Sequence, residues 1–493
     1  MLNPRLQTFN DDYLDELTLE KVHEFFKQGT LSVKDLVWLY IERIAAFDHG
    51  SNGLHAVLEI NPDALQIADA LEYEKNDIGL RGPLHGIPVL IKDNLATADK
   101  MHTSAGSLAM KDSYALEDAF LVKQLREAGA VILGKTNMTE WANFMTDGMP
   151  AGFSSRGGQV VNPYGKTFDV GGSSTGSAAA IAANFAMLSI GTETSGSILS
   201  PASQHSLVGI KPTVGLLSRT GIIPISITQD TAGPIARTVK DAAIFLNTLV
   251  SIDEFDPITK TNPLDELDFT SFLDINGLEN KRVGIVREGI FDQMSSEQVN
   301  VMEEAINHLK KIGAEVIDPV VIPTQQSPWT VDVMVHEFKV ALNTYLNDYT
   351  DNSSPNTLKD VIKINQLDPQ ARLKYGQMVL ERAEKTSGTL TEPEYLAALS
   401  FDHVQSKEMG IDAALQKHQL DALVYPNNFG AFIPAKAGYP SITVPAGYTS
   451  KGEPVGITFT GSAYSEPTLI KFAYAFEQAT LHRIPPQHNV GSS

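Results

Sequence analysis

The chain has 493 residues, no cysteine, and 38 lysines plus arginines against 59 aspartates plus glutamates, a formal net charge of −21. Without cysteine there is no disulfide framework, thiolate zinc site, iron–sulfur cluster or cysteine nucleophile. The acidic balance argues against gripping a nucleic-acid backbone, which takes a basic face able to displace counterions.

Met1 to Asp11 has neither a basic stretch nor an apolar core, so no signal peptide is expected there. Ser32 followed by Asp35, Leu36, Val37, Tyr40 and Ile44 reads as a capped amphipathic helix within a helical layer over residues 1–75. Gly86-Ile87-Pro88-Val89-Leu90-Ile91 is a short apolar run after a turn signal, the pattern of a strand buried on both faces. One design then occurs twice. A charged helix ends at Gly129 before the strand Val131-Ile132-Leu133, and another ends at Gly313 before Val316-Ile317.

Ala178 to Ile190 is the longest mostly apolar stretch, too short for a membrane span of roughly 18 residues or more. Ser177 before it reads as the N-cap of an alanine-rich helix. From about Ser327 to His418 the pattern is helical, with a capping box from Thr391 to Glu394, and strands resume at Ala422-Leu423-Val424 and Ser441 to Val444. Length alone suggests about three domains. The alternation of elements without a low-complexity linker instead predicts one α/β domain over 1–493, a mixed sheet flanked by helices on both faces. Residues 76–320 form its core with the functional motifs, 321–420 a mainly helical insertion, and 421–493 a return to the sheet. A cytoplasmic protein with no nucleic-acid or membrane partner, monomeric or homo-oligomeric, is expected.

Three motifs compete for function. Gly129 to Thr136 matches the P-loop expression through Lys135, but a helix precedes it and Ala130-Val131-Ile132-Leu133 makes a strand where a phosphate-cradling loop is needed. Gly172-Ser173-Ser174-Thr175-Gly176 matches the nucleophile elbow, yet turn residues precede it, and the histidines His482 and His488 that might complete a triad lie in a polar tail. The third motif joins that serine loop to two others: Lys92 at the end of the run Val89-Leu90-Ile91, and Gly191-Thr192-Glu193-Thr194-Ser195-Gly196-Ser197. The 12 histidines form no metal pattern, since His336-Glu337 is followed by Val340 where a zincin helix needs a second histidine.

Lys92, the Gly-Gly-Ser-Ser loop, the second loop ending in Gly196-Ser197, and Gly-Ile-Lys-Pro-Thr at 209–213 together resemble the amidase signature family, from about Leu17 to about Pro486. Within it the form of the second loop is most similar to bacterial peptide amidases. The resemblance implies a cofactor-free and metal-free amidase acting on a small-molecule or peptide amide with water, through an acyl-enzyme. It assigns Ser197 as nucleophile, Ser173 as bridge and Lys92 as general base. It places the oxyanion hole at the amides of Thr194, Ser195, Gly196 and Ser197, gives Ser174 a secondary role, and makes the Gly172–Ser173 peptide bond cis. Burial among apolar strand residues is the physical cause that can lower a lysine far enough to act as a base.

Ser195 stands where the family commonly has glycine, which leaves the backbone donors in place, and Leu199 where many members have arginine; the loss of that charge argues against recognition of anionic substrates and leans away from the alternative within the family, the A subunit of a tRNA-dependent amidotransferase. A P-loop nucleotide-binding protein is the alternative outside it. Trp141 to Met145 and Asn427 to Phe432 are the pocket-lining candidates.

Overall fold

The computed structural model describes residues 4–351 and 355–487. Near the amino terminus, the Ser32 hydroxyl accepts the Asp35 N–H at 3.0 Å while the Asp35 carboxyl accepts the Ser32 N–H at 3.2 Å. This reciprocal box starts the helix Val33–Phe47, whose Leu36, Val37, Tyr40 and Ile44 are buried on one side. The helix Phe120–Glu127 ends just before Gly129, whose φ of +78° is costly for other residues, and the next strand begins at Val131.

Among the described residues thirteen strands follow in chain order: β1 (Val57–Ile60), β2 (Pro88–Lys92), β3 (Val131–Thr136), β4 (Phe153–Ser154), β5 (Gly158–Gln159), β6 (Leu188–Glu193), β7 (Val208–Lys211), β8 (Thr231–Ala236), β9 (Arg282–Val286), β10 (Glu315–Val320), β11 (Ala422–Pro426), β12 (Ser441–Tyr448) and β13 (Pro454–Thr460). β4 and β5 form a small hairpin, and the other eleven make one sheet in the order β1-β3-β2-β6-β8-β7-β12-β13-β11-β9-β10. The sheet is mixed. β2 pairs parallel with both β3 and β6, and β9 with both β10 and β11, whereas the pairings from β6 through β8, β7, β12 and β13 to β11 are antiparallel.

β2 is covered on both faces, so Val89, Leu90 and Ile91 are fully buried and Lys92 with them. The helix Thr175–Ala182 lies against β2, β6 and β8. Its small residues allow close approach: a Cβ on Gly176 would come 2.3 Å from the Asn137 carbonyl oxygen and 2.4 Å from that of Ala56. Lys92 and the two serine loops therefore share one end of the central strands.

The helices from Asp332 to Glu384 build a second apolar cluster, in which Phe338 and Leu342 pack with Trp141, Phe144, Ile223 and Ile225. No helix among the described residues is long and apolar enough to cross a membrane. Two local expectations are corrected. The helix after Thr391 starts at Pro393 with Glu392 at its N-cap position, and the Glu392 carboxyl accepts the Ser387 N–H instead of a capping box forming from Thr391 to Glu394. The alanine-rich helix begins at Thr175, so Ser177 lies inside it, with its hydroxyl 2.8 Å from that of Thr136 and donating to the Ile190 carbonyl at 3.2 Å.

Candidate active site

Lys92 ends β2 with its amine fully enclosed. Four oxygens surround Nζ: Ser173 Oγ at 2.8 Å, Ser174 Oγ at 3.0 Å, Thr192 Oγ1 at 2.8 Å and the Thr192 carbonyl at 3.2 Å. Burial drives its pKa from the ordinary 10.5 down to about 7, against the opposing pull of Asp230 and Glu193. A neutral amine has two hydrogens to donate and one lone pair to accept. Ser173 is the hydroxyl placed to use that lone pair, since Lys92 is its Oγ's one hydrogen-bond partner among the described residues.

The serine loop is held from several directions. The Ser173 carbonyl accepts the Thr139 N–H at 3.0 Å, and the Ser174 N–H donates to the Ser197 carbonyl at 3.1 Å, tying the two loops together. The Gly172–Ser173 peptide bond is cis. Ser174 Oγ donates to the Thr192 carbonyl at 3.0 Å and accepts the Thr192 N–H at 3.1 Å, so its hydroxyl is fully engaged in joining the loops.

The second loop runs from the end of β6 into the helix Leu199–Gln204. Ser197 is 8 % exposed, and its hydroxyl has no hydrogen-bond partner among the described residues, which leaves it open to a substrate. One expected oxyanion donor is corrected. The Gly196 N–H already donates to Glu193 Oε1 at 2.7 Å, and Glu193 Oε2 accepts the Ile198 and Leu199 N–H groups at 2.7 and 3.0 Å. The longer side chain of glutamate reaches back over its own loop and consumes that donor. No hydrogen bond within the described residues uses the backbone N–H groups of Thr194, Ser195 or Ser197.

Comparison with known proteins decides the family. The amidase family's sequence profile matches residues 35–470. The chain belongs to the amidase signature family. A probable amidase of Arabidopsis thaliana is 43% identical over 487 residues, 96% of this chain and 92% of that protein. The solved peptide amidase of Stenotrophomonas maltophilia superposes with a TM-score of 0.91 at 44% identity, covering 96% of this chain and 99% of that one. The A subunit of the glutamyl-tRNA(Gln) amidotransferase of Alkaliphilus metalliredigens is 31% identical over 505 residues, 97% of this chain and 99% of that protein.

In this amidase a cavity of about 320 Å³ opens beside the loops, with Asn94, Thr192, Thr194 and Asp230 in its lining. Its walls come from Ile222 to Ile227 and from the helix Asp332–Tyr349. Neither Ser173 nor Ser197 lines it, but Thr192, whose oxygens face the Lys92 amine, and Thr194 of the second loop do. From Trp141 to Met145 only Ala142 lines this cavity. Of the stretch from Asn427 to Phe432, Asn428 borders the second loop, where a Cβ on Gly196 would come 3.2 Å from its Nδ2, while Phe429 and Phe432 line a different cavity with Trp329.

The rival motifs have other occupations. Lys135 is buried within β3 and donates to the Leu95 carbonyl at 2.6 Å and Thr103 Oγ1 at 2.9 Å, so the P-loop match is a strand with its lysine enclosed. Asp93 turns away from Lys92 to Ser104 and Arg156. His488 lies outside the described residues. Among the described residues no group of three or more histidines or carboxylates is placed to hold a metal ion.

Sequence reasoning missed Asn94, Glu193 and Asp230. Asn94 Nδ2 donates to Thr192 Oγ1 at 3.0 Å and steadies the hydroxyl facing Lys92. Glu193 was visible as a lone carboxylate in a run of small residues. Asp230, in Ile227-Thr228-Gln229-Asp230, carries no local signal of its place.

Proposed function

We propose that this amidase hydrolyses carboxamides through Lys92, Ser173 and Ser197, with an acyl-enzyme on Ser197, and that peptide C-terminal amides are its substrates. The carrying observation is the enclosed Lys92 amine 2.8 Å from Ser173 Oγ, with its pKa brought down to about 7 by burial. Neutral Lys92 takes the Ser173 proton as Ser173 takes that of Ser197, and Ser197 Oγ attacks the amide carbon. The amides of Thr194, Ser195 and Ser197 receive the oxyanion. The proton returns through Ser173 to the departing nitrogen, ammonia leaves, and water repeats the sequence to release the carboxylic acid.

The peptide-amide choice rests on the 44% identity to the Stenotrophomonas peptide amidase. Intact-mass labelling with a serine-directed covalent inhibitor, followed by peptide mapping, tests the mechanism; modification at Ser197 supports it, and modification elsewhere overturns it. The relationship to the amidotransferase chains keeps a second reading in play. Hydrolysis of acetylated amino-acid amides by the purified chain alone separates the two, because the amidotransferase reading calls for partner chains and a tRNA-bound substrate.

A further inference from the structure

The cavity beside Thr194 has an uneven charge inventory. Asp230 faces it while held by three neutral donors: Oδ1 accepts the Thr194 hydroxyl at 2.5 Å, and Oδ2 accepts the Ile225 and Ser226 N–H groups at 2.7 and 2.9 Å. No salt bridge reaches its carboxyl among the described residues. Arg219, the cation in the same lining, is committed elsewhere. Its Nε and Nη2 donate to Asp256 at 2.9 and 2.7 Å, and its Nη1 donates to the Ile227 carbonyl. Asp348 adds another carboxylate to the lining. The surrounding wall is mainly apolar.

An acyl group bearing a carboxylate would therefore leave water for a site whose cation, Arg219, is committed to Asp256, and would meet the Asp230 carboxyl, which Arg219 offsets only at a distance and no salt bridge among the described residues pairs, one hydrogen bond from the oxyanion loop. Desolvation and repulsion act in the same direction there. Neutral groups meet apolar walls, and a cation meets Asp230. Burial raises the Asp230 pKa to about 6, so above pH 7 its carboxyl is mostly ionised.

We propose that Asp230 sets the charge selectivity of the acyl cavity: neutral and cationic acyl groups are accepted, and acyl groups carrying a carboxylate are turned away. This rests on the amidase reading above, with the acyl part of the substrate in the cavity bounded by Thr192 and Thr194. It narrows the substrate class to amides whose acyl portion lacks an acidic group close to the reacting carbonyl.

The test compares kcat/KM at pH 8 for acetyl-norleucinamide, acetyl-lysinamide, the α-amide of acetylglutamate and its γ-methyl ester. The glutamate substrate is expected at least tenfold below its methyl ester, with the lysine substrate within tenfold of norleucine. A smaller acid-to-ester gap, or a lysine substrate more than tenfold below norleucine, overturns the proposal, and this comparison needs no variant. In Asp230→Asn the ester-to-acid ratio is expected to fall at least threefold whatever happens to overall turnover; an unchanged ratio in the folded variant removes Asp230 as its cause. If acetyl-norleucinamide is not hydrolysed at all, the peptide-amide reading fails, an outcome distinct from hydrolysis without charge discrimination.

Discussion

Replacing Lys92 by methionine should remove activity and stabilise the fold at neutral pH. The amine is fully buried, and burial brings its pKa from 10.5 to about 7, against the pull of Asp230 and Glu193. A drop of that size corresponds to about 5 kcal/mol of preference for the neutral form. Unfolded, the lysine keeps its proton up to its ordinary pKa, whereas the folded protein releases it above about 7. Between those limits the unfolded chain binds more protons, so wild-type stability rises with pH. Below the folded value both states are protonated and the full penalty applies; above the unfolded value it is gone.

Methionine has no such penalty but forfeits the bonds to the Ser173, Ser174 and Thr192 oxygens, each worth about 1 kcal/mol. Lys92→Met should therefore be more stable than wild type by about 1 kcal/mol at pH 7, where about 4 kcal/mol of the penalty remains, and less stable by about 2 kcal/mol near pH 10, where about 1 kcal/mol remains. Its kcat/KM should fall at least about a thousandfold, within the range for loss of a general base. Urea unfolding of both proteins across that pH range, with amide hydrolysis at pH 8, measures both effects. A stability difference that stays constant with pH would refute the buried neutral lysine, and near-normal turnover would show that another base operates.

Wild-type kcat/KM should drop about tenfold per pH unit below pH 7 as Lys92 becomes protonated, and level off above it; a midpoint near the ordinary lysine value in the pH–rate profile would contradict the depressed pKa. Glu193→Gln turns one acceptor oxygen into an NH₂ facing the Gly196, Ile198 or Leu199 N–H groups, so stability should fall by about 1 to 3 kcal/mol and kcat with it; urea unfolding identical to wild type would mean the loop does not depend on that carboxylate. Calorimetric titration with ATP and magnesium should give no binding heat, because Lys135 is enclosed in β3; a saturable signal would revive the nucleotide reading.

The local signals that proved readable were those whose cause lies within a few residues. Ser32 and Asp35 cap their helix because both partners sit three positions apart, and Gly129 ends one because its own φ is positive. The same locality misled at Ser177 and Thr391. Each has capping chemistry, but the helix starts at Thr175 in one case and at Pro393 in the other.

Lys92 shows where the division falls. Its position after Val89-Leu90-Ile91 already marked a lysine at the end of a buried strand, and the spacing of the two serine loops carried the family resemblance. What the lysine touches depended on β2 lying between β3 and β6, which brings Ser173, Ser174 and Thr192 to its amine from 81 to 100 residues away. The fate of the Gly196 N–H turned on how far the Glu193 side chain reaches across its own loop. Asp230 met Thr194 only because β8 pairs with β6. By itself the sequence determined the alternation of elements, the reactive residue types and the apolar run that buries the lysine, because these follow from near neighbours. Which hydroxyl faces the amine, which amide N–H groups remain free and which charge borders the cavity beside Thr194 were decided by tertiary structure, since each is a distance between segments that only the folded sheet brings together.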